Sequence, residues 1–300
     1  MNLNRNEILS IVGVFKVLPY TWISTLPKYY NFDYTSFMNR VNMARKQGYC
    51  EVTIARDDTK YITLTRKGYE RVKSLIPLNY SFRGSNTLTR VDTIHRNHHR
   101  MIFYFLLAWI DHHFKSSGEY NIDSVFTDYE PNECRFSFKY AGLDIDLRPD
   151  MVLHPLHQDQ ENLICVEADT GTMSIPKLFN KIIRYGMYAK NDFEQSGIQK
   201  MKVYFSFQSD KRANNVFRYP KLKKQDGLLY ELFNQGLVLK YISEKGKAQI
   251  RTADFIKVLK DNRLEFYSGT EHMAFDEYTK VDFLDNISQT CDKLSQYKLI

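Results

Sequence analysis

The sequence predicts an α+β chain in two parts, and three observations carry that prediction. Helix-period apolar segments and one alternating hairpin occupy the first 78 residues. From residue 91 a long apolar helix, several period-two strand runs, a second helix and a further strand follow. Charge divides at the same place: residues 1–80 hold twelve Lys and Arg against six acids, so +6 of the net +7 lies in the first quarter. With 300 residues and 43% hydrophobic content, each part can bury a core of ordinary size.

In the first part, Arg5 to Phe15 has apolar residues at 8, 9, 11, 12, 14 and 15, the spacing of a helix. Tyr20 to Leu26 makes a short second helix. Asp33 to Gln47 makes a third, with Asp33 as N-cap and Gly48 as C-cap. Cys50 to Ile54 and Tyr61 to Leu64 alternate around the turn Arg56 to Thr59, a hairpin, and Thr65 to Leu75 starts another helix. Three helices and a hairpin outline a winged helix-turn-helix over 1–78, and Leu64-Thr65-x-Lys67-Gly68 resembles the start of the last helix in many winged-helix domains. On that reading the third helix lies in a DNA major groove. Thr35, Ser36, Asn39, Arg40 and Asn42 are then candidate base or phosphate contacts, with Arg45 and Lys46 in the same helix. Arg56 and Lys60 at the hairpin tip would meet phosphate or the minor groove. The same outline also serves protein pairing, with its cations merely solvated.

Residues 79–90 lie in a stretch with Gly, Ser and Asn and no sustained periodicity, the expected linker to a second domain over 91–300. Val91 to Phe114 reads as a long helix. His95 and His99 share one of its faces at zinc-ligand spacing but lack a third ligand, and Arg96 and Arg100 make a weakly basic face for DNA. Alternating runs follow at Val125 to Tyr129, Arg135 to Tyr140 and Leu143 to Leu147. Ile145 to Leu153 and Leu163 to Val166 read as two apolar strand segments around the polar turn His157 to Glu161. Ile175 to Lys190 is a helix with Pro176 in its first turn, and Lys202 to Phe207 a strand. Beyond Ser209 the pattern is weaker: helices at Gly227 to Asn234, Thr252 to Lys260 and Val281 to Leu299, and a strand at Leu237 to Ile242. Pattern alone supports an α/β second domain.

The chemistry-bearing residues cluster at the centre. A strand alternates its side chains, so Glu167 and Asp169 project from one face, to which a neighbouring strand can add Asp150. Three converging carboxylates repel one another unless a divalent cation joins them, and oxygen-only ligand sets favour Mg²⁺ or Mn²⁺. Lys177, Lys181 and Tyr185 are spaced by four on one helix face and carry cations and a phenol back toward the acids. The bland alternative is that these acids cap strands or pair with lysines on a solvated surface.

Arg148-Pro149-Asp150, a short hairpin, a strand ending in Glu167-x-Asp169-x-Gly171-Thr172, and a helix with Lys177-x-x-x-Lys181-x-x-x-Tyr185 resemble the plasmid replication-relaxation family. That family includes relaxases of the MobC type and is similar to the PD-(D/E)xK nuclease superfamily. The resemblance covers about residues 1 to 210 and implies a restriction-endonuclease-like α/β domain with a mixed central sheet. It matches Asp150 and Glu167 to the metal-binding acids. Asp169 stands where the superfamily has its lysine, so a lysine on the following helix, Lys181 or its substitute Lys177, takes that role. It further implies a Mg²⁺- or Mn²⁺-dependent DNA relaxase, a nickase acting at a plasmid transfer or replication origin. Its partners would be double-stranded origin DNA, other mobilisation proteins and a second copy in a homodimer. Metal-activated water is the favoured nucleophile, with the tyrosines Tyr185 and Tyr188 left open for a covalent route. Asp169 in the lysine position motivates a second hypothesis, a non-catalytic origin-binding protein on a nuclease-like scaffold.

No apolar run approaches eighteen residues and the first residues carry no export signal, so no membrane partner is expected. Cys50, Cys134, Cys165 and Cys291 are scattered without a C-x-x-C pair, which fits a reducing, cytoplasmic setting.

Overall fold

The computed structural model describes residues 5–15, 17–20, 33–54, 58, 60–75, 96–117, 122–127, 134–155, 162–191, 193–217, 230–233, 236–243, 246–271 and 273–282. The architecture is mixed α+β, with one mixed sheet and smaller antiparallel ones.

The N-terminal unit comprises α1 (Arg5–Phe15), β1 (Val17–Pro19), α2 (Tyr34–Lys46), β2 (Cys50–Ile54), β3 (Lys60–Leu64) and α3 (Arg66–Lys73). Helix α2 starts where the Asp33 carboxylate accepts from Ser36 N at 2.7 Å, and Gly48 at φ +73° turns the chain out of it. The Leu-Thr-x-Lys-Gly segment has a clear physical role. Thr65 Oγ1 accepts from Gly68 N at 3.1 Å and donates to Gly48 O at 2.6 Å, while Lys67 donates to Gln47 O at 2.9 Å. One short segment thus caps α3 and satisfies the end of α2. A Cβ on Gly68 would meet Tyr49 O at 1.8 Å, so only glycine lets the two backbones approach. Strand β1, unanticipated from sequence, pairs antiparallel with β3 and completes the order β1-β3-β2. The short helix expected at 20–26 and the linker at 79–90 fall almost wholly outside the described residues.

The larger unit begins with α4 (Arg96–Ser117), β4 (Ile122–Thr127), the hairpin β5 (Phe136–Tyr140) and β6 (Leu143–Leu147), then β7 (Met151–Pro155) and β8 (Asn162–Asp169). Next come α5 (Ile175–Asn191), α6 (Phe193–Ser196), β9 (Lys200–Phe207) and α7 (Asp210–Phe217). The chain continues with β10 (Tyr230–Phe233), β11 (Gly236–Ser243), β12 (Gly246–Arg251), α8 (Thr252–Lys260), β13 (Leu264–Thr270) and β14 (Thr279–Lys280). The central sheet runs β4-β7-β8-β9-β13-β14. Its β4/β7 and β7/β8 pairs are antiparallel, β8/β9 and β9/β13 parallel, and β13/β14 antiparallel. The parallel β8/β9 pair demands a crossover, which α5 supplies.

Side-chain parity divides the sheet between two buried clusters. Val152, Leu163, Cys165, Val203 and Phe205 pack with α5, α7 and α8. Met151, Leu153, Ile164, Val166 and Ala168 pack with α4 on the opposite face. Leu9, Val12, Val41, Ile62 and Val72 of the N-terminal unit belong to that second cluster, so one buried core joins the N-terminal unit to the α4 face of the sheet. None of the helices among the described residues is long and apolar enough to cross a membrane.

Three expectations need correction. The single strand expected over Ile145 to Leu153 is broken at Arg148, Pro149 and Asp150. Pro149 has no N–H to give a ladder, so β6 stays with β5 while β7 enters the central sheet. Tyr230–Phe233, expected within a helix, is a strand whose hairpin register with β11 overrides its helical spacing. The C-terminal region also supplies β13 and β14 to the central sheet, where parallel pairing with a distant strand leaves little local signal. The helix expected over Val281 to Leu299 lies outside the described residues apart from its first two positions.

Candidate functional site

The alternation along β8 that buries Leu163 and Cys165 against α5 carries on to Glu167 and Asp169, whose side chains point the same way. Both are almost fully buried, at 1% and 4% exposure. A carboxylate at such depth requires a partner. The two acids find different ones.

Glu167 is met by α5. Tyr185 donates its hydroxyl to Oε1 at 2.5 Å, and the Lys181 ammonium donates to Oε2. Lys177, Lys181 and Tyr185 follow one stripe of α5, and along it exposure falls from open at Lys177 to buried at Lys181 and Tyr185 as the helix settles onto the sheet. Lys177 stays in solvent. Asp150 closes the group from the next strand. Its N–H donates to Val166 O at 3.0 Å and its Oδ2 accepts from Ala168 N at 2.8 Å, so the residue continues the β7/β8 ladder before β7 begins. Its other oxygen, Oδ1, lies 3.7 Å from Lys181 Nζ. Asp150 and Glu167 therefore converge on one cationic nitrogen.

A residue the sequence did not single out completes the group. His98, in the first turn of α4, comes from the opposite side of the sheet, with Nε2 3.5 Å from Asp150 Oδ1 and Nδ1 3.1 Å from Ala168 O. His95 lies outside the described residues, as do the side chains of His99 and Arg96. Arg100, a DNA candidate, instead forms an ion pair with Glu271, at 2.5 and 3.0 Å.

Asp169 does not join Asp150 and Glu167. Arg212 on α7 donates to it through Nε at 2.6 Å and more weakly through Nη2 at 3.4 Å, and Gly171 N donates to its Oδ1 at 3.0 Å. Arg212 also donates to Met173 O, pinning the loop that follows β8. Both oxygens of Asp169 are thus engaged. Among the described residues no three His, Cys, Asp or Glu side chains form a metal-binding group.

The electrostatics follow from burial. Burial pushes the Glu167 carboxyl up to about 8, against the downward pull of Lys181, and the Asp150 charge adds to the rise. Burial by itself lowers the Lys181 ammonium, yet Asp150 and Glu167 together hold it above its ordinary value. Burial and then Glu167 push the Tyr185 phenol well above its ordinary value, so this hydroxyl keeps its proton. Tyr188 stacks on Phe136 at 5.0 Å within the core. Cys165 is fully buried beneath the site, and burial raises its thiol as well.

The positive charge that Asp150 and Glu167 share is the Lys181 ammonium; Mg²⁺ or Mn²⁺ typically takes one or two protein carboxylates and fills its other positions with water and phosphate oxygen.

In the N-terminal unit, Thr35, Asn39, Arg45 and Lys46 are exposed on α2, and Ser36, Arg40 and Asn42 are half-buried. Arg45 lies 3.5 Å from Asn42 Oδ1, and Lys60 is exposed at the start of β3. Arg56 lies outside the described residues.

Comparison with known proteins adds no relative: no family model, no curated protein and no solved structure matches the chain.

Proposed function

We propose that the protein is a metal-dependent DNA nickase with a PD-(D/E)xK-like centre, brought to its DNA by a winged helix-turn-helix. One observation carries this reading: acids from two adjacent strands, Asp150 and Glu167, converge on a lysine, Lys181, from the crossover helix between two parallel strands. The element order supports it. Helix α4, strands β4, β7 and β8 in antiparallel succession, helix α5 and parallel strand β9 follow the order that a restriction-endonuclease-like domain would need, with β5 and β6 between them as a separate hairpin. In the N-terminal unit, α1, α2, α3 and the β1-β3-β2 sheet, with the cations on α2, support the winged helix. A plasmid transfer or replication origin as target rests on the motif resemblance.

Asp150 and Glu167 would hold Mg²⁺ or Mn²⁺, which supplies a Lewis acid for phosphate oxygen and lowers the pKa of bound water. Lys181 would stabilise negative charge on the phosphorane or orient the nucleophile. Tyr185 holds Glu167 through its proton. Because that phenol is buried and resists ionisation, water is favoured over tyrosine as nucleophile.

A second reading, a non-catalytic origin-binding protein, draws on the saturation of Asp169 by Arg212. Supercoiled origin plasmid incubated with Mn²⁺ separates the two. Nicking that disappears in Asp150→Ala and Glu167→Ala supports the nickase, whereas retention in a gel without any nicking supports the binder.

A further inference from the structure

We infer that the guanidiniums of Arg135, Arg148 and Arg184, gathered around Asp146, seat a backbone phosphate of DNA beside the Asp150, Glu167 and Lys181 group, with the Asp146 carboxylate holding that phosphate's place; the inference rests on the DNA-directed reading above. The β5/β6 hairpin brings the group together. Its register pairs Ser137 with Asp146 and Phe136 with Leu147, so one step further Arg135 and Arg148 fall opposite each other on the face away from the core. Arg135 donates to the Asp146 carboxylate through Nε at 3.1 Å and Nη2 at 2.7 Å, and Ser137 Oγ donates to it at 2.8 Å. Arg184 of α5 donates through Nη1 to Asp146 O at 2.7 Å. Arg148 Nη2 lies 3.8 Å from Oδ2, beyond hydrogen-bond reach.

Stability does not explain this grouping. Three guanidiniums surround one carboxylate, and like charges opposite each other across a hairpin repel. Arg135 alone gives Asp146 a two-pronged partner, and its hydrogen bonds hold the carboxyl below its ordinary value. Arg148, with a side chain 57% exposed, adds little to an ion pair already open to water. The excess positive charge suits an anion richer in acceptor oxygens. A guanidinium fork fits carboxylate and phosphate alike, so the Asp146 carboxylate marks where a phosphate can sit. Position points to a polymer of phosphates. Arg148 stands two residues before Asp150, and Arg184 lies three residues beyond Lys181 on the α5 stripe that begins at exposed Lys177. Cations thus lie on both sides of Lys181, as a phosphate chain running past it requires and a single small anion does not.

Fluorescence anisotropy of the full chain with a labelled random-sequence duplex, titrated at several KCl concentrations, tests the assignment. Arg148→Ala leaves the Arg135 fork on Asp146 in place. It should weaken binding about tenfold at about 0.1 M salt and lower the salt slope by about one, and adding Arg135→Ala should remove about one more. Asp146→Asn should act in the opposite direction, tightening binding and steepening the slope, because the fork is freed for phosphate. Circular dichroism checks the fold of each variant, and Arg148→Ala, at an exposed side chain, decides the matter by itself. A hairpin braced by its ion pairs with no phosphate role predicts that Arg148→Ala binds like wild type and that Asp146→Asn binds no tighter; either result would overturn the inference. An unchanged slope in Arg148→Ala beside wild-type nicking of supercoiled plasmid in Mn²⁺ would overturn it while leaving the nickase reading standing. Absence of any duplex binding by the wild type would overturn both.

Discussion

Glu167 and Asp169 leave the same face of one strand two residues apart, both buried, yet they sit in opposite kinds of pocket. Asp169 is held by the planar fork of Arg212 and a backbone N–H, which engage both of its oxygens. Glu167 is held by an ammonium that a second carboxylate also claims, and by a phenol. An Arg fork fixes a carboxylate and is not shared easily, whereas a Lys is a point charge on a flexible stem that can move between partners. The Asp169 pocket is therefore a clamp for the loop after β8. In the Glu167 pocket one ammonium is shared by two carboxylates.

The largest effect that tests this contrast is on stability. Arg212→Ala strands a carboxylate whose side chain is 1% exposed, and should cost about 3–5 kcal/mol in chemical denaturation, much of it recovered by adding Asp169→Asn. A cost below about 1 kcal/mol would erase the distinction between clamp and shared pocket.

Nicking assays sharpen the contrast from the other side. Asp150→Asn and Lys181→Met should lower the rate at least about 100-fold, while Asp169→Asn should stay within about tenfold of wild type. Lys181→Arg should fail to rescue, because the larger planar guanidinium does not fit where the compact, buried ammonium sits between the two carboxylates. Equal loss in Asp150→Asn and Asp169→Asn would return Asp169 to the metal set.

The pH dependence of the metal-free protein gives a smaller but directional signal. The unfolded chain releases the Glu167 proton near 4.5 and the folded chain near 8, so between those values the folded state binds more protons. Stability should fall as pH rises through that window, and Glu167→Gln should flatten the slope. A rise in stability with pH that Glu167→Gln abolishes would mean that Lys181 keeps Glu167 ionised. The smallest expected effect concerns DNA binding. Arg40→Ala and Arg45→Ala should each reduce the salt slope of origin affinity by about one, and an unchanged slope would remove α2 as the DNA surface.

Much of the frame was legible because its signals are local. Helix α2 follows its cap at Asp33 and its stop at Gly48, and α8 spans Thr252–Lys260 as its spacing predicts. The strand parity that aims Glu167 and Asp169 toward α5 was also readable, as was the Lys181 and Tyr185 stripe. Strand β13 was not. Its pairing with β9 joins residues about sixty apart in sequence, and no short-range period encodes that contact. His98 carries no distinguishing local signal, because His95, His98 and His99 crowd one stretch of the helix and only its contacts with Asp150 and Ala168, far along the chain, set it apart.

What the sequence determined by itself was the supply: two acids on one strand face, a third after a proline, and a helix offering lysine and tyrosine at four-residue spacing. Which acid meets which cation was decided only by the tertiary structure. Arg212 lies 43 residues from Asp169, and His98 lies 70 residues from Ala168, to which it hydrogen-bonds. Charge pairing in a buried site depends on distance in space and on access to water, and local periodicity records neither.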